Sequence, residues 1–407
     1  MTDLPANTQD TALNNPTTDY DYIISGAGCA GISLLLRILK EPQLRNKTIL
    51  IIDSDLKQTN DHTWCFWESG TGFLEHLVCH SWEILNFYTD KNKLPLNINP
   101  FSYKMIRSID FYNYAKNLTF KRTKIFWKQA KVSDIGSLEN QAYVIADGEK
   151  YTAHYVFNSL LINEDKSAYE SDNCYKLLQH FKGWVIETKE PAFNPEEATF
   201  MDFRVGQDMG ATFVYVLPTT ATSALIEYTF FNDKVLATDE YDSLLSNYLE
   251  KYCKLSSADY TITETEIGVI PMTNHQFRTH QDSVINIGTA GGWTKATSGF
   301  TFQFIQKYTA EMVTLLVAEK PPLIENGFNK AKFNLYDSTL LNVLVNKKME
   351  AKDIFFQLFS KQKPQTILQF LDNETTLMQD INILRSVPTA VFLPAAIHEL
   401  CSRPHKK

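Results

Sequence analysis

The sequence predicts an α/β fold in which a parallel sheet is interleaved with a second, mixed sheet and followed by a helical C-terminal region. Three observations carry this. A buried strand, a glycine turn, a buried helix and another buried strand follow one another within the first 53 residues. Short β-like runs separated by polar turns fill the middle of the chain, and from about Phe300 the apolar residues recur at helical spacing almost to the end.

Composition bounds the function. At 407 residues, 44% hydrophobic and 21% charged, the chain is long enough for one large α/β enzyme or two to three fused domains, and too apolar for disorder. Its net charge of −8 argues against a nucleic-acid partner, because phosphate binding needs clustered Lys and Arg. Aromatic residues, at 13%, are abundant enough to ask for a use. Six scattered cysteines form no Cys-x-x-Cys pair and fit a reducing, cytoplasmic setting. No apolar run approaches the roughly 20 residues of a spanning helix, which leaves contact with a membrane surface open.

Residues 1 to about 19 are polar, without periodicity or signal-peptide pattern, and read as a disordered lead. The run Asp21-Tyr-Ile-Ile-Ser is a short buried strand. Gly26-Ala-Gly28-Cys-Ala-Gly31 opens an apolar helix that Glu41-Pro42 stops, and Thr48-Ile-Leu-Ile-Ile-Asp53 is the second strand. The middle holds strands near Lys131–Ile135, Tyr155–Leu161, Phe213–Leu217 and Ser223–Phe231, and a helix over Tyr241–Tyr252. The resulting division is a discontinuous dinucleotide-binding domain (20–165 and 262–310), a β-rich substrate domain (166–261) and a helical region (311–407).

Gly26-x-Gly28-x-x-Gly31 after a strand, with Asp53 ending the next strand, is the Rossmann-like arrangement. The glycines let a pyrophosphate approach the free N–H groups of a helix start, and the acid bonds a ribose hydroxyl. The competing reading is a tight turn alone. A later segment runs from a strand through Gly288, Gly291 and Gly292 to Ser298 and Gly299. Two such segments in one chain point to FAD, the second setting a helix start against the flavin. A plain glycine-rich cap is the alternative. Arg107, in Tyr103-Lys-Met-Ile-Arg107-Ser108, is a further candidate cofactor contact.

For a substrate pocket the candidates are His62, Trp64 and Trp67 in an aromatic segment, Tyr215 and Tyr228 in a hairpin, Phe300, and Asp202 beside Arg204. The bland readings are core packing and a structural ion pair. Glu227 is the lone carboxylate of the apolar strand Ala224-Leu-Ile-Glu227-Tyr228-Thr-Phe-Phe231. A buried acid is costly unless protonated, which suits a general acid, whereas strand alternation would equally allow it to face solvent. His76 and His80 lack a third ligand, so no metal is expected.

With these pieces in place, the chain resembles the lycopene cyclase family over about 21–395. The resemblance is carried by the glycine fingerprint, His62-Thr63-Trp64, Gly183-Trp184, Met201-Asp202-Phe-Arg204, Phe213 to Pro218 with Ile226-Glu227, Gly268-Val-Ile-Pro271-Met272, Gly291-Gly to Phe300, and Leu384-Arg385-Ser386. Tyr228 stands where the family often has a second acid, and Trp67 where many bacterial members have a histidine. The resemblance implies redox-neutral closure of the ψ-ends of lycopene, or a related carotenoid, into β-ionone rings. Glu227 would be the acid, FAD in reduced form the cation stabiliser and NAD(P)H the reductant. It also implies a protein peripheral to the inner face of the cell membrane. The Phe-rich C-terminal helices would form either the membrane-facing surface or a buried bundle. A flavin-dependent hydroxylase or prenyl reductase, or a non-catalytic carotenoid- or flavin-binding protein, are the alternative readings.

Overall fold

A computed structural model describes residues 19–138, 141–162, 174–324 and 328–402. The disordered lead, apart from Asp19, and the domain boundary at 165 lie outside the described residues. β1 (Asp19–Ser25) and β2 (Ile49–Asp53) carry the continuous apolar runs Tyr22–Ile24 and Ile49–Ile52, as strands buried on both faces do, and they pair in parallel. α1 (Cys29–Lys40) connects them and buries all of Ile32 to Leu36. The sheet they found runs β17 (His280–Gln281), β18 (Val284–Asn286), β11 (Glu149–Asn158), β1, β2, β8 (Ile125–Gln129), with β10 (Gln141–Ala146) and β9 (Val132–Leu138) added antiparallel through β11. α2 (Ser108–Thr119) packs with α1.

The second sheet has seven strands in the order β16 (Tyr260–Met272), β12 (Leu177–Thr188), β15 (Ser223–Asn232), β14 (Ala211–Pro218), β13 (Glu197–Asp202), β5 (Ile84–Tyr88), β6 (Lys93–Asn97). Two predicted boundaries are corrected by it. The boundary at 262 falls inside β16, because that strand completes its ladder on β12. Residues 84–97, expected in the dinucleotide-binding domain, form β5 and β6 of this sheet. A third sheet, β3 (Thr63–Ser69), β7 (Phe101–Arg107) and β4 (His80–Trp82), joins the two.

Side chains alternate across the seven-stranded sheet. Val214, Val216, Ile226, Tyr228 and Phe230 face α3 (Thr238–Tyr248), which continues as a π-helical turn over Leu249–Cys253 and so covers the predicted helix Tyr241–Tyr252. Phe213, Tyr215, Leu217, Leu225 and Phe231 face the C-terminal helices. Those are α4 (Phe302–Val317), which lies on α1, then α5 (Phe328–Val345), α6 (Ala351–Lys361), α7 (Pro364–Leu371), α8 (Leu377–Leu384) and α9 (Thr389–Ser402). Phe355, Phe359 and Leu368 sit in the core beneath the sheet, each contributing roughly 1.5–3 kcal/mol by leaving water. The buried-bundle reading therefore holds for the Phe-rich stretch. Apolar residues are exposed further on, at Leu377, Met378, Ile381 and Leu384 of α8 and at Leu393, Ile397 and Leu400 of α9. No helix among the described residues is long and apolar enough to cross a membrane.

Candidate active site

The glycine turn lies at the carboxyl end of β1, between β2 and β11, the crevice where open α/β sheets take ligands. Each fingerprint glycine has its own steric reason. A Cβ on Gly26, at φ +99°, would sit 2.1 Å from the Ser159 hydroxyl, and one on Gly31 would sit 2.0 Å from the Gly26 carbonyl. Gly28 meets no atom within 4 Å, so the space in front of the α1 N-terminus is open to an incoming group. No side chain caps α1, which leaves its first N–H groups for an anion. The Asp53 carboxylate accepts the Ala27 N–H at 2.7 Å and the Asp55 N–H at 2.8 Å, fixing the acid beside the turn.

The second segment closes this cradle. Gly288 abuts Ala30 of α1, and Gly292 and Gly299 adopt φ of +71° and +69°. A Cβ on Gly299 would strike the Gln179 amide oxygen at 2.0 Å, so the segment rests on β12. Ser25 Oγ, Ser298 Oγ and Gln179 Oε1 are buried without a hydrogen-bond partner. Such atoms are costly in a finished site and are suited to meeting the polar edge of a bound group. Arg107, predicted to touch a cofactor, instead pairs with Glu264 at 2.7 Å, tying β7 to β16.

Gly183 lies four residues along β12 from Gln179 and on the same face, about 13 Å away. It pairs with Glu227 of β15 on one side and with Glu266 of β16 on the other. With no side chain between them, the two carboxyls stand across the glycine from each other, near enough that each shifts the other's titration. Glu227 also accepts the Thr229 hydroxyl at 2.8 Å, and Thr63 is a neighbour of Glu266. Burial lifts Glu227 to about 7, while burial and the neighbouring Glu227 charge hold Glu266 well above the ordinary carboxylate range. Cys65, Tyr103 and Tyr215 surround the pair, and burial raises all three, so none supplies a charge.

Of the predicted pocket residues, Tyr215 pairs directly with Glu227, and Trp67 and Phe300 are on the same side. The rings form a continuous wall: Trp67 to Phe300 at 4.8 Å, Phe300 to Phe200 at 6.4 Å, Phe200 to Tyr215 at 5.9 Å and to Tyr103 at 5.5 Å. Two residues are corrected by strand alternation. Tyr228 points to the opposite face and stacks on Phe230, and Asp202 is buried there too, bonded to Arg204 and to the Tyr248 hydroxyl at 2.7 Å. The structural ion pair is the correct reading of Asp202. The segment Thr63–Ser69 is a strand, and its alternation turns Trp64 towards Phe111 and Phe302 in the dinucleotide-side core. His62 is exposed at its start. His76 and His80 are not on one helix; the first packs on Tyr114 and the second bonds the Pro195 carbonyl.

Glu266, Gly183, Thr229 and Gln179 are the site residues that sequence reasoning missed. Glu266 ends the run Thr263-Glu264-Thr265-Glu266, which reads as a solvated edge strand. The available signal was a glycine in the neighbouring strand, Gly183. A cavity of about 190 Å³ lies between the Thr273–Ala296 segment, with its Gly291 and Gly292, and α4 and α5. Neither Glu227 nor Glu266 lines it, and its Lys295 is already held by Asp337 and Asn373.

These features define an α/β dinucleotide-binding fold of the kind found in flavin-dependent enzymes. The fold matches a geranylgeranyl bacteriochlorophyll reductase-like protein from Thermoplasma acidophilum with TM-score 0.58 at 13% identity, covering 94% of this chain and 98% of that one. It matches a triple mutant of the flavin-dependent brominase Bmp2 with TM-score 0.60 at 12% identity, covering 94% and 100%. The chain belongs to the lycopene cyclase family, whose model, described as lycopene cyclase protein, matches residues 21–396. It is 26% identical to a lycopene beta-cyclase of Pantoea ananas over 263 residues, 62% of this chain and 63% of that one. With a lycopene beta-cyclase of Paracoccus sp. it shares 24% identity over 305 residues, 70% and 71% of the two chains. The chain thus spans under two thirds of the Pantoea protein.

Proposed function

We propose that the protein is a lycopene β-cyclase, closing the ψ-ends of lycopene through γ-carotene to β-carotene without net redox change. FAD would occupy the glycine cradle in its reduced form, with NAD(P)H as the source of electrons. The observation that carries this reading is the Glu227 carboxyl, raised to about 7 on an apolar, ring-lined face of the sheet that also meets the second glycine segment at Gln179.

Such a carboxyl protonates C2 of the terminal alkene, leaving a tertiary cation at C1. The C5=C6 bond attacks it, the C1–C6 bond forms, and loss of the C6 proton to the carboxylate sets the ring double bond. One proton enters and one leaves, so the step is an isomerisation. The faces of Trp67, Phe300, Phe200 and Tyr215 stabilise the passing cation, each by roughly 0.5–2 kcal/mol. Their packing also excludes water that would trap it as an alcohol. Gly26, Gly28, Gly31 and Asp53 would hold the adenine-nucleotide half of the cofactor, and Gly288, Gly292, Ser298 and Gly299 the flavin half. Bound reduced flavin supplies negative charge near the cation.

Lycopene is insoluble in water, so the reading includes peripheral work at the inner face of the cell membrane. The exposed Leu377, Met378, Ile381, Leu393 and Ile397 support it.

The test is anaerobic incubation with FAD, NADPH and lycopene in liposomes made up in deuterium oxide. New β-rings carrying one solvent deuteron each, with nucleotide consumption far below product, are expected. Nucleotide loss equimolar with product would make the protein a hydroxylase or prenyl reductase instead. Glu227→Gln, which cannot donate the proton, should lose at least about 100-fold in turnover.

A further inference from the structure

The cyclase reading needs one carboxyl, yet the structure brings together two. Glu227 and Glu266 both pair with Gly183 from opposite sides of β12, and their Cα atoms are about 10 Å apart. A Cβ on Gly183 would lie 3.0 Å from Glu266 Cγ and 2.9 Å from Leu225 Cδ1, so the Glu266 side chain uses the space the glycine leaves. We propose that Glu266 is a positioning residue that keeps its own proton and donates it across Gly183 to Glu227, which alone exchanges protons with the substrate. The inference rests on the cyclase reading and deepens it.

The hydrogen-bond pattern assigns the roles. A protonated carboxyl has a carbonyl oxygen that accepts and one O–H that donates. Thr63 is a neighbour of Glu266, and Glu227 is the carboxyl across Gly183 to which the Glu266 O–H can point. Glu227 accepts from Thr229, and a bond received from Glu266 completes the environment of a carboxylate. Burial agrees: Glu266 is 6% exposed, whereas Glu227 is half-buried and faces the apolar wall, so the charge falls on the less enclosed group. The other titratable groups facing the pair are Cys65 of β3, Tyr103 of β7 and Tyr215 of β14, all neutral, so no cation competes for the second carboxylate.

The step balances. Protonated Glu227 gives its proton to C2, and its new carboxylate is stabilised by the Glu266 O–H. It then recovers a proton from C6, and the proton count on Glu266 never changes.

Three variants test this. Glu266→Gln keeps a neutral donor and should retain turnover within a few-fold, with the alkaline limb of the kcat profile unmoved. Glu266→Leu removes the donor and should lose roughly 10- to 100-fold, with that limb moved to higher pH because the Glu227 carboxylate is less stabilised. Gly183→Ala, which displaces Glu266 without altering it, should resemble Glu266→Leu and replaces it if Glu266→Leu does not fold. Glu266→Gln as damaged as Glu266→Leu, or with its limb moved downward, would mean that Glu266 ionises and would overturn the proposal. So would an unaffected Glu266→Leu. Infrared spectra without lycopene separate this from the cyclase reading. At about pH 8, well above the ordinary carboxylate range, the band of a protonated carboxyl should persist in Glu227→Gln and weaken in Glu266→Gln. A band unchanged in Glu266→Gln sinks the proposal whatever the protein's substrate.

Discussion

Gly288 lies against Ala30, so close that a Cβ added to Gly288 would stand 2.8 Å from the Ala30 methyl. Two glycine segments 260 residues apart in the sequence, counted from Gly28 to Gly288, are thus parts of one cradle. Gly288 also sits at φ +60°, which costs a side-chain-bearing residue roughly 1–2 kcal/mol. Gly288→Val should therefore both strain the segment and push it off α1, giving protein that purifies without bound flavin. Gly28→Ala is the sharper experiment, because its methyl meets no protein atom within 4 Å. It should fold with an unchanged Tm and bind FAD at least about 10-fold more weakly, since the only thing the methyl can meet is the ligand. Unchanged FAD affinity by titration would move the pyrophosphate elsewhere.

Asp202 is fully buried and holds Arg204 through its carboxylate. Asp202→Ala leaves that guanidinium and the Tyr248 hydroxyl without their acceptor, and should cost about 3 kcal/mol in unfolding free energy. Because Asp202 faces α3 and not Glu227, turnover per folded molecule should stay within about 2-fold. Denaturant titration alongside active-site-normalised kcat distinguishes the two roles, and a selective loss of kcat would return Asp202 to the substrate pocket.

The contrast between Asp202 and Glu227 shows what was legible in the sequence and what was not. The βαβ unit was readable because strand, glycines, helix and acid are contiguous between Asp21 and Asp53, so local pattern and tertiary role coincide. Glu227 was readable as an oddity, a charge in an apolar strand, but its facing was not, since alternation gives two faces without naming the inner one. Tyr228 and Asp202 were misassigned for that reason. Glu266 was invisible because its meaning depends on pairing across β12, a register the sequence does not state. Trp67 and Phe300, 233 positions apart, became neighbours only through the packing of β3 beneath the second glycine segment.

The exposed apolar residues of the last two helices invite a direct test. On α8, Leu377, Met378, Ile381 and Leu384 recur at helical spacing and are 43–69% exposed, and Leu393, Ile397 and Leu400 repeat the pattern on α9. Replacing Leu377, Met378, Leu393 and Ile397 by Ser should leave Tm unchanged, because none of these side chains is in the core. Co-sedimentation with liposomes should fall at least about 10-fold, and turnover of liposomal lycopene with it, while activity on detergent-dispersed lycopene persists. Undiminished liposome binding would assign the surface some other partner.

Asp372 makes a prediction about pH and stability. Its carboxyl accepts the indole N–H of Trp67, and burial raises it to about 8 against the lowering influence of Lys307 and Lys295. An unfolded aspartate releases its proton near 3.9. Between about pH 4 and pH 8 the folded chain therefore holds a proton that the unfolded chain has lost, and stability from this group falls as pH rises through that window. Asp372→Asn is neutral throughout, and its amide oxygen still accepts the indole N–H. Relative to the parent, its Tm should be similar at about pH 4 and increasingly higher from there to about pH 9. Glu227 and Glu266 titrate in both proteins and cancel in the difference. If the variant were instead less stable at every pH, by a margin growing with pH, Asp372 would be an ionised partner of Lys295, and the Trp67 contact would be a bond to a carboxylate.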